Sequence, residues 1–365
     1  MDASRRELLA AAAAAIATVP APEPARAQGR GQVRRIATEE GFSIPEIGAA
    51  AARLLATAND EPGYAAVRKA GYVPINVPDF PQRLTSLGEL RLKHMDEAGI
   101  DAALLLIGSP GVQIFDGEQA VQLARLVNDR VTEACNANPR RLYALAALAP
   151  QQPEAAAKEL ERAVTRQGLK GGIINSHTKG EYLDERKFWP IFEAAVSLEV
   201  PIYIHPREPA PRMIEPFLPP AMLASATWGF AAETGLHAVR LIFAGVFDRF
   251  PKLKIVLGHL GEGLPFFMDR LDVRYSKEIV PARPRLQRKP SDYVLNNFVV
   301  TSSGMNWAPA IRFCQDVLGP EKVLFAADYP FEDPVAAVQT AEATPMTEEH
   351  RVLFFQRNAE RVFKL

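Results

Sequence analysis

The histidines and carboxylates that could share chemistry in this chain stand at the ends of short apolar runs. Enzymes built on a parallel barrel keep their reactive groups at such strand ends. Residues 255–263 show the pattern best. Ile255, Val256 and Leu257 suit a fully buried strand, Gly258 stops it, and His259 and Glu262 follow among Gly261 and Gly263. Glycine lets backbone approach a ligand and take unusual dihedrals. Taken alone, the stretch reads equally well as a strand-to-helix turn with a capping glutamate.

The arrangement recurs along the chain. Glu39 closes the run 33–40, Asn175 and His177 follow the run from 171, and His205 and Arg207 end the run from 201. Ser302 and Ser303 follow 297–301, and Asp328 follows 323–327. Two carboxylates and an imidazole, Glu39, His205 and Asp328, suit one divalent ion: zinc, manganese or magnesium. His259 and Glu262 are expected beside that ion. A single strand ending in His or Asp means little, but five are hard to obtain from packing needs alone. Glu40 faces away from Glu39 on a pleated strand and is read as structural. His177, at a strand mouth, is read as a pocket hydrogen-bonder. Arg207 fits either bidentate recognition of a substrate carboxylate or an ion pair at the rim. His94, His237 and His350 fall in or at the start of helical patterns and are assigned to packing. Trp189, Trp228 and Trp307 are assigned to core or pocket wall.

These groups need strands to carry them and helices to bury the strands. Eight short buried-type runs alternate with helical segments, including 87–98, 118–136, 153–167, 188–199, 264–275 and 308–318. That alternation predicts an α/β protein, a (β/α)8 TIM barrel, in which all eight strand ends meet at one mouth. Two irregular insertions, over residues 46–85 and 208–220, follow strands one and five. Both lie on the carboxyl-end face, so a lid or pocket wall is expected there.

Length, 365 residues, accommodates one such barrel. A net charge of −1 gives no reason to expect nucleic acid or an anionic membrane surface as partner. No interior run is long and apolar enough to span a bilayer. Arg5 and Arg6, an alanine-rich run and the sequence Ala25-Arg26-Ala27 read as a twin-arginine export signal over residues 1–27, cleaved after Ala27. The expected location is periplasmic, and residues 28–365 form the single mature domain. Cys135 and Cys314 are read as two free, core-filling thiols.

Several of these segments also resemble a known family. Residues 38–42, 109–113, 172–177, 203–207, 257–263, 270–272 and 327–332 are similar to the aromatic acid decarboxylase branch of the amidohydrolase superfamily, in the same order. That branch contains the γ-resorcylate, 2,3-dihydroxybenzoate and aminocarboxymuconate-semialdehyde decarboxylases. The resemblance runs from about residue 33 to the C-terminus. It implies that Glu39, His205 and Asp328 are metal ligands. It implies that His259, oriented by Glu262, serves the chemistry without holding the ion. It also implies that Arg270 reaches toward a site across a subunit interface, in a homodimer or homotetramer, and that Phe331 is an aromatic pocket residue. Many relatives carry a further histidine ligand where this chain has Gly41.

The expected activity is a metal-dependent, non-oxidative decarboxylation of a hydroxylated aromatic acid, with Asp328 protonating the ring carbon that bears the carboxylate. Hydrolysis of a lactone or amide, or hydration of an unsaturated acid, is the alternative on the same site. A non-catalytic barrel with an eroded site is the third reading, and Gly41 is its best support.

Overall fold

Strands covered on both faces are buried along their length, and every ladder residue here but the half-buried Tyr143 is buried. The computed structural model describes residues 33–57, 61–70, 77, 79–277 and 285–365. The expected export signal lies outside the described residues, as does part of the first insertion. Nine parallel ladder segments appear: β1 (Ile36–Phe42), β2 (Ala102–Ile107), β3 (Leu142–Ala144), β4 (Ala146–Ala147), β5 (Gly172–Asn175), β6 (Ile202–His205), β7 (Ile255–Leu257), β8 (Phe298–Thr301) and β9 (Val323–Leu324). β3 and β4 are two halves of one barrel strand. Leu145 N–H bonds back to Leu105 O at 2.9 Å, and Ala146 N–H bonds onward to Gly171 O at 2.8 Å.

The barrel closes between β1 and the segment after β9. Thr38 N–H bonds to Phe325 O at 3.0 Å, and Gly41 N–H to Tyr329 O at 2.7 Å. This seam is irregular. β1 carries a bulge between Ala37 and Glu40, and the last strand, expected over 323–327, is laddered only at Val323–Leu324. Helices pack outside, and glycines in the left-handed region end two of them, Gly99 (φ 70°) and Gly168 (φ 75°).

The two insertions meet each other. The helix Pro62–Lys69 and the short turns Glu215–Phe217 and Ala221–Ala224 share a small apolar cluster of Val67, Ile214 and Ala224, with Phe217 and Leu218 against it. Both cysteines are free thiols. The tryptophans divide. Trp189 packs edge-on against Phe250, whereas Trp228 and Trp307 are each 64% exposed. The expectation of core or pocket wall therefore fails for Trp307, and Trp228 sits at the outer wall of the cavity described below.

Candidate metal centre and active site

Glu39 lies on the bulged part of β1 and is fully buried. Its Oε2 accepts hydrogen bonds from Tyr203, Thr301 and Ser303, the Thr301 bond measuring 2.7 Å. Its Oε1 is buried with no hydrogen-bond partner among the described residues. That orphan oxygen faces His205 Nε2 at 3.4 Å. His205 is held from behind, Nδ1 to Asn175 Oδ1 at 2.8 Å. The Asn175 amide nitrogen is turned toward Ile107 O and Gln113 Oε1, so its oxygen faces the imidazole. The proton of neutral His205 is therefore on Nδ1, and Nε2 offers a bare lone pair to a carboxylate. Burial lowers His205 to about 4, so near neutral pH it does not resolve the clash by taking a proton. Two facing acceptors in a dry site suit a cation between them.

A second pair has the same construction. His259 Nδ1 meets Glu262 Oε1 at 2.8 Å, and Nε2 points at Asp328 Oδ2, 3.6 Å away. Outer partners that fix Nδ1 and aim Nε2 inward are what metal-binding imidazoles use. Among the described residues, ligand atoms of Glu39, His259 and Asp328 lie within 4.8 Å of one another, and His205 adjoins this group through Glu39. His259, expected to stand off the ion, has its Nε2 beside Asp328 in this group. The residues present fit one divalent ion.

Electrostatics agree with the geometry. Burial alone would raise Glu39, but the positive charge of His259, the neighbouring His205 and the hydroxyl donors outweigh it and hold the carboxyl below its usual range. Burial disfavours a charged His259, yet Glu262, Glu39 and Asp328 together lift it well above its ordinary value. Asp328 is raised by burial, with His259 opposing.

The turn that carries His259 is strained. His259, Leu260, Gly261, Glu262 and Gly263 all have positive φ, from 49° to 83°. Only two of the five are glycines, and the region costs an ordinary residue about 1–3 kcal/mol. The strain turns both His259 and Glu262 toward the mouth. Asp328 also sits at φ 67°. Gly258 and Gly304 leave room for these groups: a Cβ on Gly258 would lie 2.6 Å from Glu39 Oε2, and one on Gly304 3.1 Å from Asp328 Oδ2. The sequence reading missed Tyr203, Thr301 and Gly304. Tyr203 and Thr301 were hidden inside apolar runs, and no local pattern marks Gly304.

His259, Glu262 and Asp328 line one end of a cavity of about 980 Å³ that runs outward past Glu332 between the helices Gly229–Phe243 and Leu264–Lys277. Leu236, Val239 and Leu271 line its walls, and Arg270 stands farther along. Three expected substrate contacts are not on this cavity. Both ring nitrogens of His177 are taken by backbone: Gly180 N–H donates to Nδ1 at 3.1 Å, and Nε2 meets Glu208 O at 3.1 Å. Arg207 is fully buried and pairs with Glu61 at 2.6 Å and Glu208 at 3.2 Å, so its rim ion-pair reading is the one observed. Phe331 fills the space beside Gly41 and packs on Phe80.

Comparison with known proteins agrees with this geometry. The Amidohydrolase family matches residues 78–365. The chain is 36% identical over 339 residues to a gamma-resorcylate decarboxylase from a Rhizobium species, covering 91% of this chain and 98% of that protein. A 5-carboxyvanillate decarboxylase from Novosphingobium aromaticivorans, solved with manganese and 4-hydroxy-3-methoxy-5-nitrobenzoic acid, superposes with a TM-score of 0.88 at 40% identity, over 92% of this chain and 97% of that one. A 2,6-dihydroxybenzoate decarboxylase, solved with 2,6-dihydroxybenzoate, gives a TM-score of 0.81 at 35% identity, over 91% and 99%. With a metal-competent set at the strand ends of a closed barrel and relatives matched over nearly its whole described length, this chain belongs to the amidohydrolase family, in its aromatic acid decarboxylase branch.

Proposed function

We propose that the protein removes carbon dioxide from a hydroxylated aromatic carboxylic acid with one divalent ion, zinc, manganese or magnesium, held by Glu39, His205 and Asp328. The observation that carries this reading is the pair of carboxylate–imidazole contacts, Glu39–His205 and Asp328–His259, the second of which lines an apolar cavity. A divalent ion held by these residues would supply positive charge for a substrate carboxylate and adjacent phenolate. Glu39 and His205 are buried off the cavity, their side chains 0% and 7% exposed, while His259 and Asp328 line it at 18% and 13%. Asp328 therefore meets the substrate and hands a proton to the ring carbon that bears the carboxylate. That carbon becomes tetrahedral, its bond to the carboxylate breaks, and the electron pair restores the aromatic ring as carbon dioxide leaves. His259, which keeps a proton beside Asp328, restores it for the next turnover. The relatives solved with hydroxylated benzoates support this substrate class.

The test is carbon dioxide release from 2,6-dihydroxybenzoate and 5-carboxyvanillate by manganese-loaded protein. Asp328→Asn and His259→Asn should each lower kcat by about 10²–10⁴. Full turnover in both variants, or a ring-opened acid as product, would sink the reading.

The assembly we propose is a homodimer or homotetramer. Phe266 and Phe267 stack edge to face, and they are 74% and 49% exposed. Exposed aromatic patches of this kind mark contact surfaces. Light scattering should give at least twice the chain mass, and Phe266→Ser should lower it; a monomeric parent protein rules the assembly out. Export by the twin-arginine route to the periplasm is proposed from residues 1–27 alone.

A further inference from the structure

The seam that closes the barrel runs beside Asp328, and a side chain completes it where the ladder does not. Thr38 and Gly41 donate across the seam to Phe325 O and Tyr329 O. Two donors on the opposite side, the N–H groups of Ala327 and Tyr329, go to the Glu40 carboxyl instead, at 2.9 Å to Oε1 and 3.1 Å to Oε2. These two residues flank Asp328, which sits between them at φ 67°. Glu40 is 2% exposed and does not line the cavity. The bulge in β1 lets successive residues serve the two sides of one site. Glu39 turns inward to Tyr203, Thr301 and Ser303, and Glu40 turns to the seam.

We propose that Glu40 is a positioning residue for Asp328. It grips the backbone on both sides of Asp328 and so holds that residue's left-handed conformation, which aims its carboxyl at His259 and the cavity. An aspartate released from the grip relaxes toward negative φ, and its side chain swings off the reaction axis. Arg91 braces the same seam from outside, donating to Gly41 O at 2.7 Å with its guanidinium over the Tyr329 ring. Burial raises Glu40 to about 8, with the Ala327 amide and Arg91 opposing. Each carboxyl oxygen accepts one of the two amides.

The inference rests on the reading of Asp328 as proton donor, and a double-mutant cycle separates the two. Glu40→Gln keeps the shape but leaves only one accepting oxygen for two amides. In manganese-loaded protein it should lower kcat at least tenfold with KM within about twofold. By calorimetry it should weaken manganese binding several-fold. In an Asp328→Asn background the same substitution should change neither quantity. Equal losses in both backgrounds, or a folded Glu40→Gln protein with unchanged kcat and manganese affinity, would overturn the proposal. If Glu40→Gln does not fold, Glu40→Asp, which keeps two oxygens on a shorter arm, runs the same cycle. The manganese arm needs no turnover, so it reads out even if the proposed reaction is wrong.

Discussion

Position 41 has no side chain, and the space it leaves is already taken. A Cβ there would lie 2.9 Å from Phe331 Cε2 and 3.4 Å from Tyr329 O. The missing histidine is thus not an eroded ligand in an open space, because the Phe331 ring occupies its place. Gly41→His should not add a ligand. It should cost about 1–3 kcal/mol through overpacking, read as a lower Tm, with manganese affinity no tighter. Phe331→Ala in the same chain should restore part of the loss. A tighter manganese site in the single variant would show that the ring yields. The residue types at strand ends were legible in sequence because glutamate, histidine and aspartate are rare closers of buried runs. Which partner each one finds was not legible. Tyr203, Thr301 and Ser303 come from two other strands, and nothing along β1 announces them.

Among the elements, the helix Gly229–Phe243 forms one wall of the cavity and carries His237, which faces away from it. His237 accepts Leu183 N–H at Nε2, 3.1 Å, and meets Ser176 Oγ at Nδ1, 3.2 Å. Burial, helped by Arg240, lowers it to about 3. Its unfolded value is near 6.5, so the folded state binds the proton less readily. The stability it contributes is complete above pH 6.5 and is lost as pH falls toward 3, at up to about 1.4 kcal/mol per pH unit. His237→Gln keeps an acceptor for Leu183 and removes the titration. Urea unfolding between pH 7 and 4.5 should show a shallower acid loss than in the parent protein, and identical slopes would count against this account. The helix spans 153–167 and 308–318 were read correctly from sequence, since periodicity and the prolines and glycines at their ends are local signals. The left-handed turn at 259–263 was only half visible. Its glycines announced unusual dihedrals, but His259, Leu260 and Glu262 adopt them too, and only the surrounding barrel makes that strain tolerable.

At the scale of the molecule, the insertions after the first and fifth barrel strands are joined by buried charge. Arg207 links Glu61 and Glu208, all three at 4% exposure or less. Breaking a buried pair strands a charge and costs about 3–5 kcal/mol. Arg207→Met should therefore lower Tm and raise KM, because the joined insertions stand over the strand-five end of the mouth. Arg207→Met with Glu61→Leu should recover stability beyond the single variant. A single variant that melts like the parent protein would show that the ion pair does not hold the cap. The sequence by itself determined the eight-strand alternation, the identities of Glu39, His205, His259 and Asp328, and the family. Each of these is written in local pattern or in the order of short motifs. Only the tertiary structure decided that His259 stands beside Asp328 and that His177 and Arg207 are bonded within the scaffold. It alone placed Phe331 in the space beside Gly41 and Glu40 on the backbone around Asp328. These outcomes depend on distances between strand ends that are tens to hundreds of residues apart, and barrel closure fixes those distances while leaving no mark in any one segment.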